Sequence, residues 1–163
     1  MNDPFKKVVL LSDKWSEELA QNTYYCLTKY AEIQKLPIHG EIREFREQDL
    51  KIKVQRNGEI IPEIQTTVRG RDVYIFMSSV TNEETNRRYD ANIPIIRACL
   101  VADACKEAGA DRVNLVMPHM PYQRQDRRTH IKETGAERRE PISARVILNM
   151  LYSSGYTGLI TID

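Results

Sequence analysis

Short apolar runs alternate along this chain with segments of helical periodicity, and no other feature constrains its fold as strongly. Four runs rich in β-branched and other apolar residues predict strands, at 8–11, 73–77, 113–117 and 158–163. Between them, apolar residues recur at helical spacing in three segments, at 17–30, 91–107 and 142–151. Strands that alternate with helices are typical of a parallel sheet. The sequence therefore predicts an α/β domain with a mostly parallel sheet flanked by helices.

Finer features predict turns and helix faces. The stretch at 41–54 alternates in character and predicts one strand, or two with a break near 46–48. Asn57-Gly58 follows and predicts a tight turn, because both residues tolerate positive φ. In the first helix the residues at helical spacing are Leu19, Thr23, Cys26, Leu27 and Tyr30. The predicted inner face of the second helix consists of Ile96, Cys99 and Leu100.

Charge and cysteine content narrow the class of protein. The 163 residues include 24 Lys and Arg against 23 Asp and Glu, and this balance argues against nucleic acid or a membrane surface as partner. The three cysteines are odd in number and form no C-x-x-C motif, so neither a disulfide framework nor a zinc knuckle is expected. No early apolar run is long enough for a signal peptide or a membrane span. These features predict a cytoplasmic protein of one domain.

Several common catalytic motifs are absent from the sequence. The seven glycines are placed so that neither G-x-G-x-x-G nor a Walker loop occurs. The three histidines form no H-x-x-H or H-E-x-x-H pair, and no G-x-S-x-G supports a nucleophilic serine. Spacing alone leaves a Ser-His-Asp triad open.

An arginine-rich segment follows the predicted strand at 113–117 and includes the sequence YQRQDRR at 122–128. Ligands of open α/β sheets bind at the carboxyl ends of strands. An arginine there can hold phosphate oxygens through two parallel hydrogen bonds. The alternative is a solvated surface loop, which composition alone favours because most charge-rich stretches are only surface.

The order of five motifs along the chain favours a ligand-binding loop over a solvated surface loop. From residue 68 onward they read VRGRDVYI, MPHMPY, RQDRR, PISAR and LITID. In this order they resemble the amino-terminal half of ribose-phosphate pyrophosphokinase, the synthetase of phosphoribosyl pyrophosphate (PRPP). The resemblance covers nearly the whole chain and is specific from residue 68 onward.

The resemblance implies a fold and a reaction. The family transfers the β,γ-diphosphoryl group of ATP to the 1-hydroxyl of ribose 5-phosphate, with Mg²⁺ as cofactor. Each subunit has two α/β domains of the phosphoribosyltransferase-like (Rossmann-like) type, and ATP binds near their junction. Residues 1–163 are accordingly expected to be the amino-terminal domain of a two-domain synthetase, carrying a flag loop. A homo-oligomer built from dimers is also expected.

The resemblance assigns residues to an ATP site. Arg124 and Gln125 match the family's Arg-Gln pair that contacts ATP. The sequence FREQD at 45–49 matches an F-x-[DN]-x-E element that reaches adenine from a neighbouring subunit, with the two acids exchanged in length. The residues assigned to ATP are thus Phe45, Glu47, Gln48, Asp49, Arg124 and Gln125. The alternative for Phe45 is an ordinary core aromatic.

Phosphate and metal contacts follow from the same resemblance. The flag loop, expected to bind phosphates of substrate and effector, contributes Asp126, Arg127, Arg128 and Arg139. A possible effector-phosphate site consists of Arg69, Ser78 and Ser79. Stabilising a turn is the alternative role for Arg69. Asp163 matches an aspartate beside the family's Mg²⁺-holding histidine and is the expected metal contact.

Two departures from the family bear on activity. The family's ribose-phosphate loop of adjacent acids and glycines does not occur in the sequence, and neither does its Lys-x-Arg loop. The sequence carries most of the ATP side and none of the ribose-phosphate side, so the chain alone is expected to be inactive. Two other functions stay open: a non-catalytic regulatory relative that binds catalytic subunits, and a generic α/β nucleotide-binding module.

Overall fold

The computed structural model describes residues 8–36, 42–79, 91–129, 135 and 139–162. The helices are α1 Glu17–Ile33, α2 Asn92–Glu107 and α3 Ser143–Ser153. The strands are β1 Val8–Ser12, β2 Leu50–Val54, β3 Ile60–Ile64, β4 Asp72–Phe76, β5 Arg112–Val116 and β6 Gly158–Ile160. A 3₁₀ turn at Glu47–Asp49 leads into β2. None of the described helices combines the length and the apolar character needed to cross a membrane.

A four-stranded sheet forms the centre of the fold, with the strand order β1-β4-β5-β6 and every neighbouring pair parallel. Its register aligns Leu11 with Ile75, Ile75 with Leu115 and Leu115 with Leu159. One row of apolar side chains therefore crosses the sheet. These are the four strands predicted from the apolar runs, and the mostly parallel α/β fold is confirmed.

The strands β2 and β3 form a separate antiparallel hairpin that packs against α2. Gly58 in its turn has a φ of 88°, which glycine adopts without strain, as the Asn-Gly pair predicts. The break expected near 46–48 is the 3₁₀ turn, and the strand begins only after it. The sequence does not predict β3, because Pro62 at its centre lacks the N–H that a strand ladder uses.

The main core lies between the sheet and α2. Leu11, Ile75 and Leu115 are fully buried in it. The helix contributes Ile95, Ala98, Val101, Ala102 and Cys105. Burial of this apolar surface is the main stabilising contribution that the sheet receives.

The inner face predicted for α2 is wrong. Ile96 and Leu100 are 45% and 38% exposed, and Cys99 is only partly buried. The helix is apolar around most of its circumference, so periodicity alone cannot select the face that packs. The small side chains of Ala98 and Ala102 lie on the buried face, where they let the helix approach the sheet closely.

α1 lies on the opposite face of the sheet. Its buried residues are Ala20 and Ala31, and Ala20 packs with a second, smaller apolar cluster. The larger apolar residues of α1 stay outside the core: Leu19, Leu27 and Tyr30 are 40%, 40% and 59% exposed. They border an apolar groove of about 500 Å³ between α1 and the sheet.

Candidate functional site

A cleft of about 210 Å³ opens where β5 ends at the carboxyl edge of the sheet. Its lining residues are His119, Met120, Tyr122, Gln123, Arg124, Gln125 and Ile162. All but Ile162 belong to the loop that follows β5, and Ile162 follows β6 on the neighbouring strand. The arginine-rich segment is therefore brought to the edge where ligands of parallel sheets bind.

Several contacts fix the shape of this loop. Tyr122 has a φ of 65°, a left-handed conformation that is unusual for a bulky side chain. Its hydroxyl donates to Asn92 Oδ1 at the start of α2. The Gln125 N–H donates to the Tyr122 carbonyl at 2.9 Å, and the Ala144 N–H in α3 donates to the Gln125 carbonyl at 3.2 Å. Two helices thus hold the backbone that presents Arg124.

The Arg124 side chain is exposed and makes no ion pair with any described residue. Gln125 beside it is also exposed. A guanidinium in a cleft, held by an anchored backbone and without an ion-pair partner among the described residues, is suited to an external anion such as phosphate.

The flag residues follow the cleft directly. Asp126, Arg127, Arg128 and Arg139 are all exposed. Beyond them, Thr129 Oγ1 donates to Glu140 Oε2 at 2.7 Å and so joins the two ends of the segment. The rest of the predicted flag loop, at 130–134 and 136–138, lies outside the described residues.

A buried ion pair at the same sheet edge was not predicted from the sequence. Arg97 Nη1 on α2 donates to Asp13 Oδ2 at 3.3 Å, and their side chains are 5% and 0% exposed. The Ser78 N–H donates to the same oxygen at 3.4 Å. The Arg97 guanidinium lies 4.4 Å from the centroid of the Trp15 ring. One feature of the sequence indicates a buried partner for Arg97: it is the one charged residue in the apolar stretch 92–102.

Burial dominates the electrostatics of this pair. It raises the pKa of the Asp13 carboxyl, and hydrogen bonds from Ser16 and Ser78 and the charge of Arg97 oppose the increase. Burial also lowers the pKa of Arg97, against the attraction of Asp13. The pair fixes the end of β1 to the loop that follows β4, because one carboxylate oxygen contacts both Arg97 and Ser78.

The three residues expected at an effector-phosphate site, Arg69, Ser78 and Ser79, are not all neighbours within one copy of the chain. Ser78 and Ser79 follow β4 at the carboxyl edge, and Ser79 Oγ lies 3.2 Å from His119 Nδ1 beside the cleft. Arg69 precedes β4, so the length of this strand, about 16 Å for five residues, separates it from the serines. Arg69 instead lies in the turn before β4, with its side chain against Gly109. This position agrees with its alternative, turn-stabilising role.

Two of the side chains expected to contact adenine are buried in this structure, and Phe45 is the first of them. Phe45 is 5% exposed and packs with Val8, Leu10 and Phe76 in the smaller core cluster. Its ring therefore has no face open for stacking on a base. In this structure Phe45 is an ordinary core aromatic, the alternative given for it above.

The acids of the same element differ in exposure. Asp49 is buried and accepts hydrogen bonds from both terminal nitrogens of Arg43, at 2.5 and 3.2 Å. Glu47 and Gln48 are exposed on the 3₁₀ turn. An approaching ligand can therefore reach only these two side chains of the four that were expected to contact adenine.

Potential metal ligands are not clustered in the described part of the chain. Among its residues, no group of three or more His, Cys, Asp or Glu is arranged to hold a metal ion. Asp163, the expected Mg²⁺ contact, lies outside the described residues. The described side chains therefore offer no cluster of three or more ligands that could hold Mg²⁺ without a substrate.

Comparison with known proteins adds independent findings. Residues 8–155 match the family model described as the N-terminal domain of ribose phosphate pyrophosphokinase. A putative ribose-phosphate pyrophosphokinase 2 of Streptococcus pyogenes serotype M6 is 37% identical over 107 residues, covering 66% of this chain and 28% of that protein. A ribose-phosphate pyrophosphokinase of Staphylococcus aureus strain Mu50 is 34% identical over 115 residues, covering 69% of this chain and 31% of that protein.

A solved structure shares the fold. The crystal structure of phosphoribosylpyrophosphate synthetase from Mycobacterium smegmatis superposes with a TM-score of 0.67 at 24% identity, over 97% of this chain and 43% of that one. The chain thus spans less than half the length of that protein and less than a third of the two relatives.

Proposed function

The chain belongs to the family of N-terminal domains of ribose phosphate pyrophosphokinase, and from this premise we propose that its sheet-edge cleft binds the phosphate chain of ATP. The observation that carries the proposal is the position of Arg124, exposed in a cleft at the end of β5 on an anchored loop. Gln125 follows it, as in the Arg-Gln pair of the family.

The proposed reaction is the transfer of diphosphate from ATP to ribose 5-phosphate, giving PRPP for nucleotide biosynthesis. This chain would supply the ATP side, as the amino-terminal domain of a two-domain synthetase. Ribose 5-phosphate would be bound by a second domain that carries the family's acidic and glycine-rich loop. The family description and the names of the relatives support this assignment.

Arg124 would act through charge and geometry. Diphosphoryl transfer needs positioning and neutralisation of the transferred group more than covalent chemistry. A guanidinium can hold two phosphate oxygens at once and stabilise negative charge that develops on them. The contacts from Asn92 and Ala144 to the loop support this role, because they fix Arg124 before a ligand arrives.

For the adenine end we propose a narrower set of contacts than the sequence suggests. Glu47 and Gln48 are exposed, and in a homodimer a second copy would present them to the base bound by its partner. Phe45 and Asp49 would hold the 3₁₀ turn in place, Phe45 by packing and Asp49 through Arg43.

Mg²⁺ is proposed to enter with the nucleotide. This cation takes oxygen ligands and keeps several waters, so it is commonly bound through substrate phosphates and one or two carboxylates. The described residues would then orient the phosphates, and the cation would be held mainly by the nucleotide. The cytoplasm is the proposed location, and the three free cysteines are consistent with a reducing compartment.

The test is calorimetric titration of the chain with Mg-ATP. Arg124→Ala should weaken ATP binding by about tenfold or more, because a hydrogen bond to a charged group contributes roughly 1.5–3 kcal/mol. Arg56→Ala is the matched control, since Arg56 is also an exposed arginine and lies on the β2–β3 turn, away from the cleft. It should change the affinity less than about twofold at ordinary ionic strength. Equal binding by Arg124→Ala and the unaltered chain would overturn the proposal.

A further inference from the structure

One imidazole connects two loops at the carboxyl edge of the sheet. His119 lines the cleft together with Arg124 and Gln125. Its Nδ1 lies 3.2 Å from Ser79 Oγ, in the loop that follows the neighbouring strand β4. The family resemblance assigned no role to His119, and the contact with Ser79 appears only in the folded chain.

When the imidazole is neutral, the chemistry of this pair allows two arrangements. A neutral imidazole carries one N–H and leaves its other nitrogen as an acceptor, whereas a hydroxyl can donate and accept. If Ser79 donates to Nδ1, the proton of His119 must sit on Nε2, which is then a donor. If Nδ1–H donates to Ser79, then Nε2 can only accept. The partner of one ring nitrogen therefore determines what the other can bind.

We propose that His119 is a further phosphate-binding residue of the cleft and that Ser79 is its positioning residue. The Ser79 hydroxyl donates to Nδ1, and the Nε2–H of His119 donates to a phosphate oxygen of the bound nucleotide. The inference rests on the proposed function, in which the cleft takes the phosphate chain of a nucleoside triphosphate.

Charge and size support this arrangement. Phosphate oxygens are acceptors, so a donor at Nε2 complements them and an acceptor there would be left unpaired. The residues that line the cleft include one arginine, Arg124, and no lysine, while the phosphate chain of ATP carries several negative charges. A volume of about 210 Å³ is below the roughly 300–1,000 Å³ of pockets that enclose a whole drug-sized ligand, so it suits part of a nucleotide.

The first experiment compares two ligands, Mg-ATP and inorganic triphosphate. His119→Ala should weaken both by a similar factor of about tenfold, because the lost contact is to phosphate. His119→Gln, which retains a side-chain N–H donor, should recover part of the affinity. An unchanged ATP affinity, or a loss confined to ATP, would overturn the inference. Loss of ATP binding in Arg124→Ala but not in His119→Ala would leave the proposed function standing and remove only the role of His119.

The second experiment tests the positioning role of Ser79 with a double-mutant cycle. Ser79→Ala should weaken ATP binding about threefold in the unaltered chain and should have no effect in the His119→Ala background. A purely structural effect of the serine would be the same in both backgrounds, and that result would refute the positioning role.

The third experiment reads the tautomer directly. In alkaline buffer, the ¹⁵N spectrum of labelled histidine distinguishes Nδ1–H from Nε2–H, and the chain has only three histidines. The signals that disappear in His119→Ala identify this residue. We expect the Nε2–H form in the unaltered chain and a mixture of tautomers in Ser79→Ala. An Nδ1–H form that Ser79→Ala does not alter would contradict the proposed hydrogen bond.

Discussion

Asp13 and Arg97 place opposite charges in the interior at the carboxyl edge of the sheet, with side chains 0% and 5% exposed. Among the ion pairs of the described residues, this is the one in which both side chains are so deeply buried. Charges of this kind cost much free energy to desolvate, and their attraction offsets the cost only while both partners are present. The pair is therefore sensitive to loss of either residue.

Removing Arg97 should destabilise the fold strongly. In Arg97→Met the Asp13 carboxylate stays buried without its cation, and we expect the free energy of unfolding to fall by about 3–5 kcal/mol. The double variant Asp13→Asn/Arg97→Met should regain most of this loss, because no unpaired charge remains. Urea denaturation measures both variants. A double variant as unstable as the single one would show that packing of the arginine, rather than its charge, is what matters.

The same carboxyl gives a pH dependence whose sign follows from its pKa. Burial raises the pKa of Asp13 above its ordinary value of 3.8. The folded state therefore binds this proton more tightly, so the stabilising contribution of Asp13 is present below pH 3.8 and lost as pH rises through the folded pKa. The stability gap between Arg97→Met and Asp13→Asn/Arg97→Met should accordingly widen from about pH 4 to about pH 7. Denaturation curves at several pH values measure the gap, and a constant gap would exclude a buried, titrating Asp13.

At the scale of elements, the end of α3 depends on a glycine. Gly155 follows the helix with a φ of 107°, and its N–H donates to the Tyr152 carbonyl at 3.0 Å. The next residue, Tyr156, is buried and its hydroxyl donates to the Ala98 carbonyl of α2 at 3.0 Å. A glycine at this position satisfies the last carbonyls of a helix and reverses the chain. It thereby directs Tyr156 into the core between two helices.

Gly155→Ala should destabilise the chain by about 1–2 kcal/mol, the ordinary cost of a left-handed residue with a side chain. An added Cβ would also lie 2.5 Å from Lys106 Cγ, so that lysine must shift. Gly58→Ala is the matched control, because Gly58 has a φ of 88° but nothing within 4 Å of an added Cβ. It should lose less stability in thermal unfolding. Equal losses would mean that Lys106 moves at no cost.

For the molecule as a whole, the proposed function gives the described residues only one side of a two-substrate reaction. The cleft at β5 is suited to a phosphate chain, while neither the acidic, glycine-containing loop nor the Lys-x-Arg loop of the family occurs in the sequence. Holding both reactants in place can contribute roughly 7–11 kcal/mol to lowering a barrier. A chain that binds only one reactant does not lower the barrier in this way.

We therefore expect no PRPP formation when the 163-residue chain is given ATP, Mg²⁺ and ribose 5-phosphate. Release of AMP measures the reaction, and calorimetric binding of ATP to the same preparation controls for a misfolded sample. Robust turnover would contradict the expectation. A non-catalytic, regulatory role would gain support if the chain altered the activity of a complete synthetase without turnover of its own.

Local periodicity and backbone preference account for the features that the sequence predicts correctly. Runs of β-branched residues are strands in the central sheet, and Asn57-Gly58 is the hairpin turn. The order of strands and helices along the chain predicted parallel pairing, which placed the arginine-rich loop at the carboxyl edge of β5. The first two inferences need only neighbouring residues, because period and φ are set by the local chain, and the third needs only the order of the elements.

Which surfaces and charges meet depends on packing between distant parts of the chain. Periodicity did not predict the buried face of α2, because apolar residues surround most of that helix. The face that packs on the sheet is the one that carries the small residues Ala98 and Ala102. Arg97 meets Asp13 from 84 positions away, and His119 meets Ser79 from 40 positions away. Arg69 and Ser79, ten positions apart by number, are held at opposite ends of β4. Such contacts depend on how distant segments pack, and no local pattern in the sequence records that packing.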